Sequence, residues 1–157
     1  FLFIGLMNTD GDPYVIEYNV RMGDPETEAV LPRIESDFVD LLHAIATENL
    51  SDYRLKISDH FATTVVMVSG GYPGSYEKGF AIKLPEGQQE SVIFHAGTAF
   101  GSDQKLINQG GRVIAVTGSG KSLEEALQKT YSTVDKISWN KAYYRRDIGQ
   151  DLKNYKK

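Results

Sequence analysis

Apolar and polar positions alternate near the start of the chain. From Tyr14 to Val20 the even positions are Tyr14, Ile16, Tyr18 and Val20, and the odd positions lead into Glu17, Asn19 and Arg21. A period of two predicts a strand with one face on a core. Residues 2–7 form a second apolar run, joined to the first through Asn8-Thr9-Asp10-Gly11-Asp12-Pro13. Asp-Gly between apolar runs predicts a β-hairpin. Asp24 and Pro25 then read as a helix start, an N-cap followed by proline at the first helical position. Pro32 should end or kink that short helix. A second helix is predicted from Phe38, Leu41, Leu42, Ile45 and Ala46, with Ser36 or Asp37 as its cap.

The pattern changes after a polar, turn-rich stretch. Residues 1–50 read as one unit, 51–60 as a linker and 61–157 as a second unit. In the second, Phe61–Ser69, Phe80–Leu84, Ser91–His95 and Arg112–Thr117 are β-branched or alternating and predict strands. Glycine-rich turns separate them. One long helix follows, with Leu123, Ala126, Leu127 and Thr130 on its buried stripe and Val134 and Ile137 further on. Ser122 and Glu125 have the spacing of a capping box. The fold class expected is α+β: a hairpin with helices, then a mainly antiparallel β module with one long helix.

Composition narrows the classes. The 157 residues are 41% hydrophobic and 24% charged, as in ordinary globular domains. A formal net charge of −4 gives no electrostatic footprint for nucleic acid. The chain has no cysteine, which excludes disulfides and thiolate metal sites and fits a cytoplasmic protein. Phe1–Met7 is apolar from the first residue, but too short for a membrane span and without the basic start of a signal peptide. It reads as a strand cut at its beginning, so the chain is expected to be a fragment of something longer.

Three polar groups on one strand face suggest chemistry. Glu17 and Asn19 offer oxygen, which magnesium prefers. Arg21 adds a fixed charge suited to a transferring phosphoryl group. The same letters are compatible with a solvated outer face of a hairpin, and the alternation alone leaves both open. A second candidate is Ala115–Ser122, a relaxed phosphate-loop pattern ending in Gly-Lys-Ser at Lys121. Its first position is alanine, and about 35 residues follow it, too few for the parallel sheet of such enzymes. A glycine turn feeding a capped helix explains it better. The three histidines, His43, His60 and His95, are too dispersed for a metal site.

The run Val15–Glu28 (VIEYNVRMGDPETE) closely resembles the metal-binding end of the glycinamide ribonucleotide synthetase family of ATP-grasp ligases. Ser69–Gly79 resembles the start of that family's C-terminal domain. Phe94–Thr98, Gly110–Val113 and Tyr144–Gly149 follow in the family's order. The resemblance implies that residues 1–50 end an ATP-grasp domain and that 61–157 form the C-terminal ligase domain. It implies a ligase that joins glycine to 5-phosphoribosylamine at the expense of ATP, through a glycyl phosphate, in purine biosynthesis. Glu17 and Asn19 would hold Mg2+ or Mn2+, and Arg21 would stabilise the transferring phosphoryl group. Asp24 would contact an amine or act only as a helix cap, and Glu26 would face the substrate side. Arg145 and Arg146 would grip the substrate phosphate, or be solvated charge. Many ATP-grasp enzymes add an acidic ligand from the preceding strand, and FLFIGLM carries none. The partners implied are small-molecule substrates and the N-terminal part of the same enzyme, with no nucleic acid and no membrane. Without that part the chain alone is expected to be inactive. A phosphate-loop module around Lys121 and a non-catalytic interaction domain are the alternatives; the retained E-x-N-x-R speaks against the second.

Overall fold

The computed structural model describes residues 1–23 and 25–154. Strands β1 (Phe3–Thr9) and β2 (Asp12–Asn19) form the expected antiparallel hairpin. Asp10 and Gly11 take positive φ (54° and 101°) at its tip. Two such residues make the turn whose twist matches paired strands. The Asn8 side chain accepts the Gly11 N–H at 2.9 Å. A register shift between Gly5 and Leu6 sets Gly5 opposite Glu17.

The alternation of β2 is real, but its expected core face is not covered. Tyr14, Ile16, Tyr18 and Val20 are 60%, 62%, 64% and 91% exposed. Alternation says that a strand has two faces; it does not say what lies against either.

Helix α1 (Thr27–Val30) begins two residues later than expected, and its N-cap position, Glu26, makes no side-chain cap bond. The Asp24 cap lies outside the described residues. Pro32 sits in a 3-10 turn, Leu31–Arg33, that ends this segment as expected. Helix α2 (Phe38–Ala46) takes Asp37 as its cap, whose carboxylate accepts the Val39 and Asp40 N–H groups at 2.8 and 3.1 Å. It buries Leu41 and Ala44, while Leu42 and Ile45 remain 45% and 44% exposed.

The remaining elements are β3 (Phe61–Ser69), β4 (Ser91–His95), β5 (Thr98–Phe100), β6 (Leu106–Asn108), β7 (Arg112–Gly120), α3 (Leu123–Val134) and β8 (Ala142–Tyr143). The main sheet has the order β4-β7-β3-β8, antiparallel throughout. Both ends of β3 and β4 match the sequence reading. β7 runs three residues further than expected. Phe80–Leu84 is not a strand: it makes only single bridges, Ala81 to Ile107 and Lys83 to Ser138. The β5–β6 pair was not expected.

Strand β7 is central and buried on both faces, which explains its nearly continuous apolar run. Helix α3 covers one face. Val65, Met67, Val113, Ile114, Val116 and Val134 are fully buried there, with Ile137 and Trp139 beside them. Ser122 caps α3 by accepting the Glu125 N–H at 3.2 Å. The reciprocal bond of the capping box falls one residue early: Glu125 accepts the N–H of Lys121 at 2.8 Å. α1 sits on the opposite face of the sheet. Thr117 Oγ1 donates to the Glu28 carbonyl at 3.0 Å and lies 2.7 Å from Thr64 Oγ1. Among the described residues no helix is long and apolar enough to cross a membrane.

Candidate functional site

The end of β2 leads directly into a cleft of about 760 Å³, which has Arg21, Met22, Gly23, Pro25, Thr27 and Glu28 on one side. Tyr72, Val66, Ala96, Gly111, Arg112, Ile114 and Ala115 line the other. The hairpin exit and the main sheet therefore share one concavity. A second cleft of about 510 Å³ adjoins α1, lined by apolar residues such as Leu31, Ile34, Phe38 and Phe94, together with His95. Glu28 and Thr27 belong to the walls of both.

The turn after Arg21 gives the Gly and the Glu of the Gly-Asp-Pro-Glu letters a structural role. Gly23 is buried, and its N–H donates to the Glu26 carboxylate at 3.1 Å. A Cβ on Gly23 would stand 2.5 Å from the Glu26 carboxyl carbon, so a larger residue would push this carboxylate out of its folded-back position. The Gly23 carbonyl accepts both the N–H and the Oγ1 of Thr27, at 3.2 and 2.8 Å. Glu26 thus closes the turn, where the sequence reading turned it toward substrate. Asp24 lies outside the described residues. Arg21 is exposed, and its guanidinium donates to the Met22 carbonyl at 2.9 Å.

Glu17 and Asn19 stand two residues apart on one face of β2, roughly 7 Å along the strand. A Cβ on the facing Gly5 would approach Glu17 Cγ at 3.1 Å, so glycine leaves room for the carboxylate arm. Asn19 Nδ2 is buried without a hydrogen-bond partner. No bond from Nδ2 therefore fixes this amide, and it can turn its oxygen either way. One carboxylate and one amide oxygen fit a hard divalent cation that takes its other ligands from phosphate and water. Among the described residues no three His, Cys, Asp or Glu side chains gather into a metal-binding group. Among the described residues, Glu17 and Asn19 are the side chains that would offer oxygen to a cation here.

Arg145 and Arg146 are not brought to this cleft. Arg145 grips Asp147 through two bonds, Nε at 3.0 Å and Nη2 at 2.7 Å, beside a separate shallow cleft. The Arg145 hydrogen bonds hold the Asp147 carboxyl below the usual carboxylate range. Arg146 lies over the Tyr144 ring, 4.9 Å from its centroid, donates to its hydroxyl at 2.7 Å, and reaches Asp135 at 3.5 Å.

The phosphate-loop letters have a packing role. A Cβ on Gly118 would stand 2.6 Å from Thr130 Oγ1 and 2.7 Å from the Ala126 carbonyl. One on Gly120 would meet Glu125 Cβ at 2.7 Å and the Ala126 N at 2.8 Å. Both glycines let β7 press against α3. The Lys121 N–H, which a phosphate loop would offer to its ligand, is already bonded to Glu125.

Sequence reasoning missed Glu28, Tyr72 and Arg112. Each lay within a motif already singled out, but only the docking of α1 on β7 places them around one cleft.

Residues 62–151 match the family profile described as phosphoribosylglycinamide synthetase, C domain. A phosphoribosylamine–glycine ligase of Agrobacterium fabrum is 45% identical over 148 residues, covering 94% of this chain and 35% of the relative. A bifunctional purine biosynthetic protein of Schizosaccharomyces pombe is 43% identical, covering 99% of this chain and 20% of the relative. The crystal structure of phosphoribosylamine–glycine ligase from Thermotoga maritima superposes with a TM-score of 0.77 at 41% identity, over 94% of this chain and 36% of that one. Urea carboxylase of Kluyveromyces lactis shares the fold at a TM-score of 0.57 and 11% identity. The chain spans about a third of the length of the phosphoribosylamine–glycine ligases it matches. The profile match covers more than half of the chain, and the chain belongs to the phosphoribosylglycinamide synthetase C-domain family.

Proposed function

We propose that this chain is the metal-binding and phosphoryl-binding corner, with the C-terminal domain, of an ATP-grasp ligase. That ligase joins glycine to 5-phosphoribosylamine and releases ADP and phosphate. The observation that carries the reading is the course of the E-x-N-x-R strand, whose last member, Arg21, opens into a cleft walled by the family's C-terminal domain. The names of the relatives, which span the same segment, support it.

In this reading residues 1–50 end the ATP-grasp domain and 61–157 form the C-terminal domain. Glu17 and Asn19 hold Mg2+ or Mn2+, which when bound neutralises charge on the nucleotide phosphates. Arg21 offers its guanidinium to the phosphoryl group as a glycine carboxylate oxygen attacks the γ-phosphorus and ADP leaves. The amine of phosphoribosylamine then attacks the carbonyl carbon, phosphate departs, and the nitrogen loses a proton. A substrate phosphate that reached Arg145 would have to displace Asp147, so this role falls more naturally to groups facing the main cleft. The Gly118–Lys121 segment takes no part in nucleotide binding.

The test compares the full-length protein carrying this segment with the 157 residues alone, by following ATP-dependent formation of glycinamide ribonucleotide. Product should appear with the full-length protein and be absent with the segment. Product from the segment alone would refute the division of labour, and none from an intact, folded full-length protein would refute the assignment.

A further inference from the structure

Glu28 has two properties that the reaction scheme above leaves unused. Its Oε2 is buried and has no hydrogen-bond partner. Its backbone is fixed from the other side of the cleft, because its carbonyl accepts the Thr117 hydroxyl at 3.0 Å, and Thr117 in turn pairs with Thr64 at 2.7 Å. A buried acceptor left without a donor is costly, and more so on a carboxylate. A ligand that brought a donor would recover that cost. Glu28 also shares its cleft with the guanidinium-bearing Arg21. A carboxylate and a guanidinium in one cleft wall suit a small zwitterion, whose two ends carry the opposite charges.

We propose that Glu28 is the residue that recognises the ammonium group of the amino-acid substrate, held in place by the C-terminal domain through Thr117. This rests on the ligase reading given above. It gives the main sheet a share in substrate choice: β7 fixes the backbone of the residue that reads the amine. Arg21, at the other end of the turn, then lies toward the carboxylate that becomes activated. Glu28 takes no part in bond making; it selects an amino acid over a carboxylic acid without an amine.

The experiment uses the full-length enzyme with Glu28→Ala and Glu28→Gln, measuring KM for glycine, for phosphoribosylamine and for ATP. It also measures ADP release with glycolate in place of glycine. Losing a charge-assisted hydrogen bond should raise the glycine KM about 10- to 100-fold in Glu28→Ala, with the other two constants within about threefold. Glu28→Gln keeps an acceptor and should fall between. The preference for glycine over glycolate should narrow by a similar factor. An unchanged glycine KM and preference in either folded variant would overturn the proposal, as would equal rises in all three constants. If Glu28→Ala does not fold, Glu28→Gln decides alone. Should the wild-type enzyme form no glycinamide ribonucleotide, the ligase reading fails first; should it be active while the variants keep their selectivity, only the role of Glu28 fails.

Discussion

Replacing Gly118 with alanine separates packing from phosphate binding at the one stretch of this chain that mimics a nucleotide loop. The new Cβ would stand 2.6 Å from Thr130 Oγ1 and 2.7 Å from both the Ala126 carbonyl and the Thr130 N. Two of those atoms are helix backbone and cannot swing aside, so β7 and α3 must part. Thr130 Oγ1 is also a hub. It accepts the Gly118 N–H at 2.9 Å and lies 2.7 Å from Thr63 Oγ1, with the Thr63 and Ala126 carbonyls at 3.1 and 2.9 Å. Overpacking a tight contact costs about 1–3 kcal/mol, and weakening the buried bond to Gly118 about 1 more. The expected loss is therefore about 2–4 kcal/mol, or a Tm lower by about 5–15 °C in a chain of this size. Thermal and urea unfolding of the purified chain, followed by circular dichroism, measure it. A variant as stable as the parent, but with lost nucleotide affinity in the full-length protein, would refute the packing account and restore the phosphate loop.

Asn108 should be as sensitive. It is fully buried, donates to Ser69 Oγ at 2.8 Å and the Glu77 carbonyl at 2.9 Å, and accepts the Phe80 N–H at 2.7 Å. Asn108→Ala strands these partners and should cost about 2–4 kcal/mol in urea unfolding. Tyr131 and Tyr144 should titrate above the ordinary phenol value of 10. Burial raises both first; in Tyr144 the hydrogen bond to Asp135 at 2.5 Å adds to it. The folded chain holds these protons more tightly than the unfolded one. Their stabilisation is thus full below pH 10 and is lost as pH rises through the folded values. Ultraviolet titration should show two late phenols, and Tyr144→Phe should remove one; an unchanged late phase would contradict the assignment.

Much of this fold was legible because local signals agreed with one another. Strand β3 was readable from its β-branched alternation, the hairpin from Asp10-Gly11, and α3 from Ser122 and its apolar stripe. Phe80–Leu84 misled because its backbone divides its bonds between Ile107 and Ser138, which no local pattern can reveal. β5 and β6, three residues each, are too short to show a period. The face of β2 that reads as core is exposed, since a strand's sequence fixes its two faces but not its neighbours. At the site, the placement of Glu17 and Asn19 on one strand was legible from the alternation, whereas Arg21 falls two residues past the strand's end. Glu28 was not legible, because its backbone is placed by Thr117, 89 residues away.

The central claim is that Glu17 and Asn19 hold the divalent cation of a glycine ligase. It is tested most directly by Glu17→Ala in the full-length enzyme, assayed for glycinamide ribonucleotide across a magnesium titration. Activity should fall steeply at ordinary magnesium and recover in part as the concentration is raised, because the remaining amide ligand binds the ion more weakly. A variant with wild-type activity and an unshifted magnesium dependence would contradict the account.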